Sequence, residues 1–191
     1  MTRILFAGVA SIALLTACNE QGASPAVDAA QDAASAPVGQ TSAATMGGNL
    51  VSAYVPNAAM GDIYEIQASD IALERSSNAQ VKELATMIKA DHTAASTKFN
   101  ATAPAAAPDV TIPTSLDERR QGLIDNLRSA SAADFDRVYL DQQIVAHQEA
   151  ITLHRGFSDN TDAPALAAHA REVLPKIEAH LRHAEELKPA I

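Results

Sequence analysis

The sequence predicts an all-α protein in which four long helices and one short crossover helix form an up-and-down bundle. Hydrophobic residues make up 47% of the 191-residue chain, yet aromatic residues are only 4% and tryptophan is absent, which favours closely packed helices over an all-β core. In four long segments, apolar residues recur in alternating three- and four-residue steps. Helix-breaking residues stand where each of these segments should end.

The predicted helices follow these breakers in order along the chain. Ser76-Ser77-Asn78 separates the first two long helices, and Pro104 and Pro108 are expected to end the second. Pro164 suits the first turn of the last helix, where a missing N–H costs nothing, whereas Pro175 inside that helix should kink it. The predicted bounds are 57–75, 79–103, 116–129 for the crossover helix, 133–157 and 164–188.

The amino terminus is predicted to be a lipoprotein signal peptide over residues 1–17. Arg3 gives a cationic start, an apolar run follows it, and Leu15-Thr16-Ala17-Cys18 comes directly after that run. This ending resembles the bacterial lipobox, in which the cysteine is acylated and becomes the first residue. Cys18 is therefore the expected lipidation site. The alternative is an ordinary signal peptide with a chance cysteine near its cleavage site.

A lipidated Cys18 would anchor the protein to a membrane of the cell envelope, because several buried acyl chains hold firmly. Asn19 follows the cysteine, which in the best-known sorting rule favours the outer membrane, with the protein facing the periplasm. Residues 18–48 are rich in small and polar residues and are predicted to form a flexible linker after the cysteine. Residues 49–191 are predicted to form the helical bundle domain, and no segment of it is apolar enough for a transmembrane helix.

Charge and motifs exclude several classes of function. The formal net charge is −9, so binding to nucleic acid and polybasic docking to a membrane are both disfavoured. The single cysteine excludes an internal disulfide and a cysteine-rich zinc site. The sequence contains no glycine-rich phosphate loop and no nucleophile elbow, so we expect no nucleotide cofactor and no catalytic residues.

Each long helix carries one polar residue that is expected to face the core. These residues are Glu65, His92, His147 and His180. A carboxylate and three imidazoles in a bundle interior could hold Zn²⁺, Cu²⁺, Fe²⁺ or Mn²⁺. The sequence therefore gives a candidate metal site, although it does not identify the ion.

Two observations favour a structural role for the same four residues. The di-iron pattern needs a Glu three residues before a His on two helices, and Lys89 and Ile177 occupy those positions. Counting from the helix ends also places His147 and His180 about 9 Å apart along the bundle axis. The alternative is that the histidines are neutral or paired to Glu65 in the core and form hydrogen bonds with one another and with Tyr64 or Tyr139. In the metal interpretation, Asp91 could accept a hydrogen bond from behind His92 or face water. The other histidines are expected to be ordinary solvated residues: His154, His169 and His183.

Several strings resemble the domain-of-unknown-function family 4142. They include AAMGDIYEIQAS, VKELATMIKADHT, ADFDRVYLDQQIVAHQEAI and LAAHAREVLPKIEAHL, and the likeness extends over residues 51–187. The resemblance implies a ferritin-like bundle and an envelope location. It implies no activity, since the family is named for lacking one.

The sequence thus predicts a membrane-anchored envelope lipoprotein whose bundle acts as a binding or structural module. The alternative is a protein for metal binding or for metal-dependent redox and stress protection, built on the inward polar residues. A third interpretation is partner recruitment through an acidic helix face. Nothing in the sequence identifies a protein partner.

Overall fold

The computed structural model describes residues 30–34 and 49–191, and every regular element in these ranges is helical. The signal peptide and Cys18 lie outside the described residues. None of the described helices combines the length and apolarity that a membrane-spanning segment needs. In chain order the helices are α1 (Val51–Arg75), α2 (Ala79–Ala106), α3 (Glu118–Ser129), α4 (Phe135–Phe157), α5 (Pro164–Leu187) and a short 3-10 helix (Lys188–Ala190).

Local capping explains where several of these helices begin. Asn78 accepts a hydrogen bond from the backbone N–H of Gln80 at 2.9 Å, which satisfies an otherwise unpaired donor at the start of α2. Asp117 does the same for α3 by accepting from the N–H of Arg120 at 2.8 Å. These starts lie close to the predicted ones because caps are local features of the sequence.

Two helix bounds differ from the prediction at prolines. Helix α1 begins at Val51 rather than near Asn57, so Pro56 lies inside it, and the fully buried Tyr54 is gained by this extension. Helix α2 continues through Pro104 to Ala106. A proline removes only its own N–H, and the N–H of Ala107 still donates to the carbonyl of Ala103 at 2.8 Å.

Two apolar clusters fix the direction of each long helix. One cluster, which we call the Leu84 cluster, contains the carboxyl-terminal parts of α1 and α5 and the amino-terminal parts of α2 and α4. The other, which we call the Phe99 cluster, contains the amino-terminal parts of α1 and α5 and the carboxyl-terminal parts of α2 and α4. Helices α1 and α5 therefore run one way, and α2 and α4 run the other. The connection that contains α3, the predicted crossover helix, runs from one end of the bundle to the other, so the directions of the long helices do not strictly alternate along the chain. Representative members are Ile71, Leu84, Tyr139 and Leu187 in the Leu84 cluster, and Tyr54, Phe99, Phe157 and Leu166 in the Phe99 cluster.

Each long helix packs against two others, α1 and α5 both contacting α2 and α4, while α3 lies against α1 and α4. Between the two apolar clusters, the four long helices contribute a layer of buried polar side chains. Burying such groups is costly unless they are hydrogen-bonded or bind something, so this layer is where function should be sought. Its members include Asp62, Glu65, His92, His147 and His180.

The predicted linker contacts the bundle in the part that the structure describes. Residues 30–34 are helical, and the Asp32 carboxylate accepts hydrogen bonds from the side-chain amides of Asn126 at 2.7 Å and Gln142 at 2.8 Å. These contacts hold the segment against α3 and α4.

Candidate metal centre

Three of the four residues predicted to bind a metal meet in the polar layer. His92 comes from α2, His147 from α4 and His180 from α5, and their exposed fractions are 6%, 1% and 1%. One ligand nitrogen from each lies within 4.8 Å of the others. The closest pair is His147 Nε2 and His180 Nδ1, at 3.3 Å. We call these three residues the histidine cluster.

The separation of about 9 Å expected between His147 and His180 is wrong. The estimate assumed that α4 ends at the level where α5 begins. The connection 158–163 can reach about 3.3 Å per residue, so it is long enough to start α5 well beyond the end of α4. That offset brings the two histidines to one level.

In two of the rings, the nitrogen that faces away from the histidine cluster makes a hydrogen bond. When such a ring is neutral, the nitrogen that faces the cluster carries no proton. His92 Nδ1 lies 2.8 Å from Asp62 Oδ1, and His147 Nδ1 lies 2.9 Å from the backbone carbonyl of Gln143. Each of these oxygens needs a donor, so the N–H of the ring points outwards. The lone pair of His92 Nε2 and that of His147 Nε2 are then free to bind a ligand.

His180 follows the same pattern with its nitrogens exchanged. Its Nε2 donates to Asp91 Oδ2 at 3.0 Å, and Lys176 Nζ donates to the other oxygen of Asp91 at 2.6 Å. Asp91 was expected either to accept a hydrogen bond from behind His92 or to face water. It is a hydrogen-bond acceptor, but its partner is His180 rather than His92. Carboxylates and carbonyls behind imidazoles are the usual outer partners of metal-binding histidines.

Electrostatics keep two of the three rings neutral. Burial, together with the neighbouring His92 and His180, lowers the pKa of His147 well below its usual range. Burial also lowers the pKa of His180 to about 4, against the opposing effect of Asp91. For His92, burial lowers the pKa, but the hydrogen bond and charge of Asp62 outweigh it and raise the pKa above its usual value.

Glu65, the fourth predicted ligand, lies beside the histidine cluster rather than in it. Its Oε1 is 3.6 Å from His147 Nδ1, which is the nitrogen that faces away from His180. Burial raises the pKa of Glu65 to about 7, although the nearby His92 lowers it. Its Oε2 is buried and makes no hydrogen bond of normal geometry to the described residues, although the nearby side-chain amide of Gln143 lowers its pKa.

Asp62 is a site residue that sequence reasoning missed. It is buried with an exposed fraction of 8%, and it fixes the orientation of the His92 ring. A signal was present, because Asp62 precedes Glu65 by three residues, which is close to one helical turn, and therefore lies on the same face of α1.

Two histidines that were expected to be solvated are buried. His154 Nδ1 lies 3.0 Å from the hydroxyl of Tyr54, and the ring of His169 packs against Phe99 with centroids 5.5 Å apart. Burial lowers the pKa of His154 to about 3, and it also lowers the pKa of His169. The expectation was wrong because the extension of α1 places Tyr54 against His154, and packing of α2 against α5 places Phe99 against His169. His183 is half-buried.

The fold and the site together define an all-helical protein with a buried histidine cluster. The chain belongs to the family described as Domain of unknown function (DUF4142), which matches residues 35–187. Comparison with curated proteins and with solved structures gives no match.

Proposed function

We propose that this protein is a lipid-anchored metal-binding protein of the cell envelope, with His92, His147 and His180 as the ligands. One distance carries the metal assignment. Two nitrogens that bind one tetrahedral Zn²⁺ at about 2.05 Å lie about 3.3 Å apart, and His147 Nε2 and His180 Nδ1 are 3.3 Å apart. A small inward shift of His92 would complete the set.

A purely structural role accounts less well for this geometry. If His147 donates to Gln143 and His180 donates to Asp91, both facing nitrogens are acceptors and no proton lies between them. Two acceptors at hydrogen-bond distance repel each other in a core of low polarity. A cation between them removes the repulsion.

Three imidazoles suit Zn²⁺, Cu²⁺ and Fe²⁺, and they leave a coordination position open for water or a small ligand. The carboxylates of Asp62 and Asp91 would offset part of the charge of the ion from behind His92 and His180. Binding requires neutral rings, so a proton on His92 competes with the ion. If the bound ion is Cu²⁺ or Fe²⁺, the same site would also allow a role in redox or stress protection.

A ferritin-like bundle is the architecture that we propose for the domain. Its support is the helix direction, in which α2 and α4 run the same way and the connection containing α3 crosses between them. Ferritin-like folds have one such long crossover and build their metal sites between facing helices.

The anchor is proposed at Cys18, after removal of residues 1–17, on the sequence pattern alone. An outer-membrane location facing the periplasm follows from Asn19. Mass spectrometry of the native protein should find an acylated cysteine as the first residue. An unmodified thiol with the leader still attached would overturn the anchor and leave the metal site untouched.

Metal binding is tested on the full chain carrying Cys18→Ser, which keeps it free of lipid. After anaerobic purification, we expect one equivalent of a transition metal, or uptake of one equivalent on titration with Zn²⁺, Cu²⁺, Fe²⁺ or Mn²⁺. Saturation at 100 times the Kd should stabilise the fold by about 2.7 kcal/mol and raise its Tm.

The variants His147→Ala and His180→Ala should lose this binding. The matched control is His183→Ala, which removes a half-buried histidine from the same helix as His180. Absence of a stoichiometric metal in the wild type, with no change in Tm on adding any of the four ions, would refute the proposal. Equal loss in His183→Ala would refute the assignment of ligands.

A further inference from the structure

A cavity of about 350 Å³ lies beside the histidine cluster, between α1, α3 and α4. Its lining extends from the buried Glu65 and His92 to the exposed Arg137, so it connects the polar layer with the surface. The segment 30–34 contributes Asp32 to the same lining. This volume falls within the range of pockets that bind small molecules, about 300–1,000 Å³.

The walls of the cavity suit an uncharged molecule. Much of the lining is apolar, with Leu123 and Leu153 facing several alanines. The guanidinium groups of Arg119 and Arg120 also line it, but both are paired with the Glu149 carboxylate, at 2.8 and 3.2 Å, and Arg120 is also paired with Asp117 at 2.5 Å. Because these charges are already balanced, they offer little attraction to an anionic ligand.

One polar group at the inner end of the cavity still needs a partner. Glu65 is 4% exposed and lines the cavity, and its Oε2 makes no hydrogen bond of normal geometry to the described residues, although the side-chain amide of Gln143 is near enough to lower its pKa. A hydroxyl group both donates and accepts, so it can pair with a carboxyl group in either protonation state. An alcohol or a phenol is therefore the complementary end group.

We propose that this cavity binds a small uncharged organic molecule with an apolar body and one hydroxyl group, and that the hydroxyl is hydrogen-bonded to Glu65. This site goes beyond the metal function proposed above. The two sites share only His92, so a bound molecule would lie next to the ion without needing it.

Two helical glycines provide a matched pair of variants. A Cβ atom added at Gly61 or at Gly122 would meet nothing within 4 Å, so neither substitution displaces neighbouring atoms at that position. Gly61 lines the cavity, whereas Gly122 does not. Both lie inside helices, where replacing glycine favours the helix by a similar amount. Gly61→Leu therefore fills the cavity, and Gly122→Leu is its control.

The probe is 2-naphthol, whose fluorescence can be followed because the chain contains no tryptophan. Titration into the full chain carrying Cys18→Ser should show saturable binding. Affinity should fall at least tenfold in Gly61→Leu and stay unchanged in Gly122→Leu. No saturable binding to the wild type, or equal affinity in the two glycine variants, would overturn the proposal.

Naphthalene, which lacks the hydroxyl, tests the role of Glu65. In Glu65→Leu, affinity for 2-naphthol should fall about tenfold, while naphthalene binds as before. Equal changes for both probes would overturn the assignment of the hydroxyl to Glu65. A Zn²⁺ titration of the same samples separates the two sites. If 2-naphthol binds but neither Zn²⁺ nor any of the other three ions does, only the metal function is refuted; if a metal ion binds but 2-naphthol does not, only the cavity is refuted.

Discussion

The single pair of atoms that most constrains function is His147 Nε2 and His180 Nδ1. Both nitrogens face each other in a buried layer of the core, and the hydrogen bonds behind each ring hold it in that orientation. Side chains placed in this way are pre-organised, so little conformational entropy is lost when a ligand arrives.

We predict that Asp62→Asn weakens metal binding by about 10–100-fold. The asparagine oxygen can still accept from His92 Nδ1, but the negative charge that supports the ring is lost. Calorimetric titration with Zn²⁺ measures the change. The control is Asp70→Asn on the same helix, where the side chain is exposed and pairs with Lys89. Equal affinity in both variants would contradict a supporting role for Asp62.

His154 should make the fold sensitive to acid. Its pKa is about 3 in the folded protein and near 6.5 in an unfolded chain, so only the unfolded state binds the proton between these values. Stability contributed by neutral His154 is therefore present above pH 6.5 and is lost as the pH falls towards 3, by about 1.4 kcal/mol per unit.

Accordingly, between pH 7 and pH 5 the free energy of unfolding should fall by about 2 kcal/mol less in His154→Gln than in the wild type, because glutamine does not titrate there. Urea unfolding at the two pH values gives the difference. His183→Gln is the control and should follow the wild type. Parallel losses in all three proteins would show that His154 does not titrate as described.

The periodicity of the sequence identified the three histidines of the cluster, but it could not identify their partners. Inward-facing positions follow from helical spacing alone, which is why His92, His147 and His180 were found. Asp62 shares a helix face with Glu65 and Asp91 is next to His92 in the sequence, but which histidine each contacts depends on how neighbouring helices are rotated and shifted, and this is decided by tertiary packing. Glu65 was placed on the correct face, yet its position beside the cluster depends on the same packing.

At the scale of elements, Arg75 joins three helix ends. Its Nη1 donates to the carbonyls of Leu127 and Arg128 at 2.7 Å, and its Nη2 donates to that of Ala130 at 2.6 Å. The guanidinium also lies over the ring of Phe135, 4.8 Å from its centroid. The end of α1 therefore caps α3 and contacts the start of α4.

Arg75→Lys should lower the free energy of unfolding by about 1–3 kcal/mol, because a lysine ammonium cannot reproduce the planar fork that reaches three carbonyls. Chemical denaturation measures the loss. The comparison is Arg155→Lys, an exposed residue paired with Glu178, which should change stability by less than about 0.5 kcal/mol. Equal effects would indicate that the capping contacts contribute nothing specific.

The helices themselves were predictable because their spacing, caps and Pro164 are local signals. Pro56 and Pro104 misled the prediction, since burial of Tyr54 and continued hydrogen bonding beyond Pro104 are not visible locally. The crossover helix between α2 and α4 was predicted from the sequence, but the direction of α4 is a property of the tertiary structure. It depends on whether the connection between α2 and α4 crosses the full length of the bundle, and packing of α3 against α1 fixes this.

At the scale of the whole molecule, the polar layer lies between the Leu84 cluster and the Phe99 cluster. All four long helices pass through both clusters, so neither cluster can lose its packing without affecting the other. The domain should consequently unfold as one cooperative unit.

Leu84→Ala and Leu166→Ala remove fully buried side chains from different clusters. Each should cost about 2–5 kcal/mol and shift one shared transition to lower denaturant. Helical circular dichroism during urea unfolding provides the measurement. A second transition in either variant would show that the two ends of the bundle unfold independently.

The burial of the histidine cluster also affects how fast a bound ion could leave. Its three residues are almost inaccessible to solvent and come from three different helices. Of the three, only His92 also lines the cavity that connects the polar layer with the surface, so an ion would leave past the His92 ring, and movement of this buried side chain would set the rate of escape. Extraction by a chelator should then reach a rate that no longer rises with chelator concentration, and residence would be long even at modest affinity.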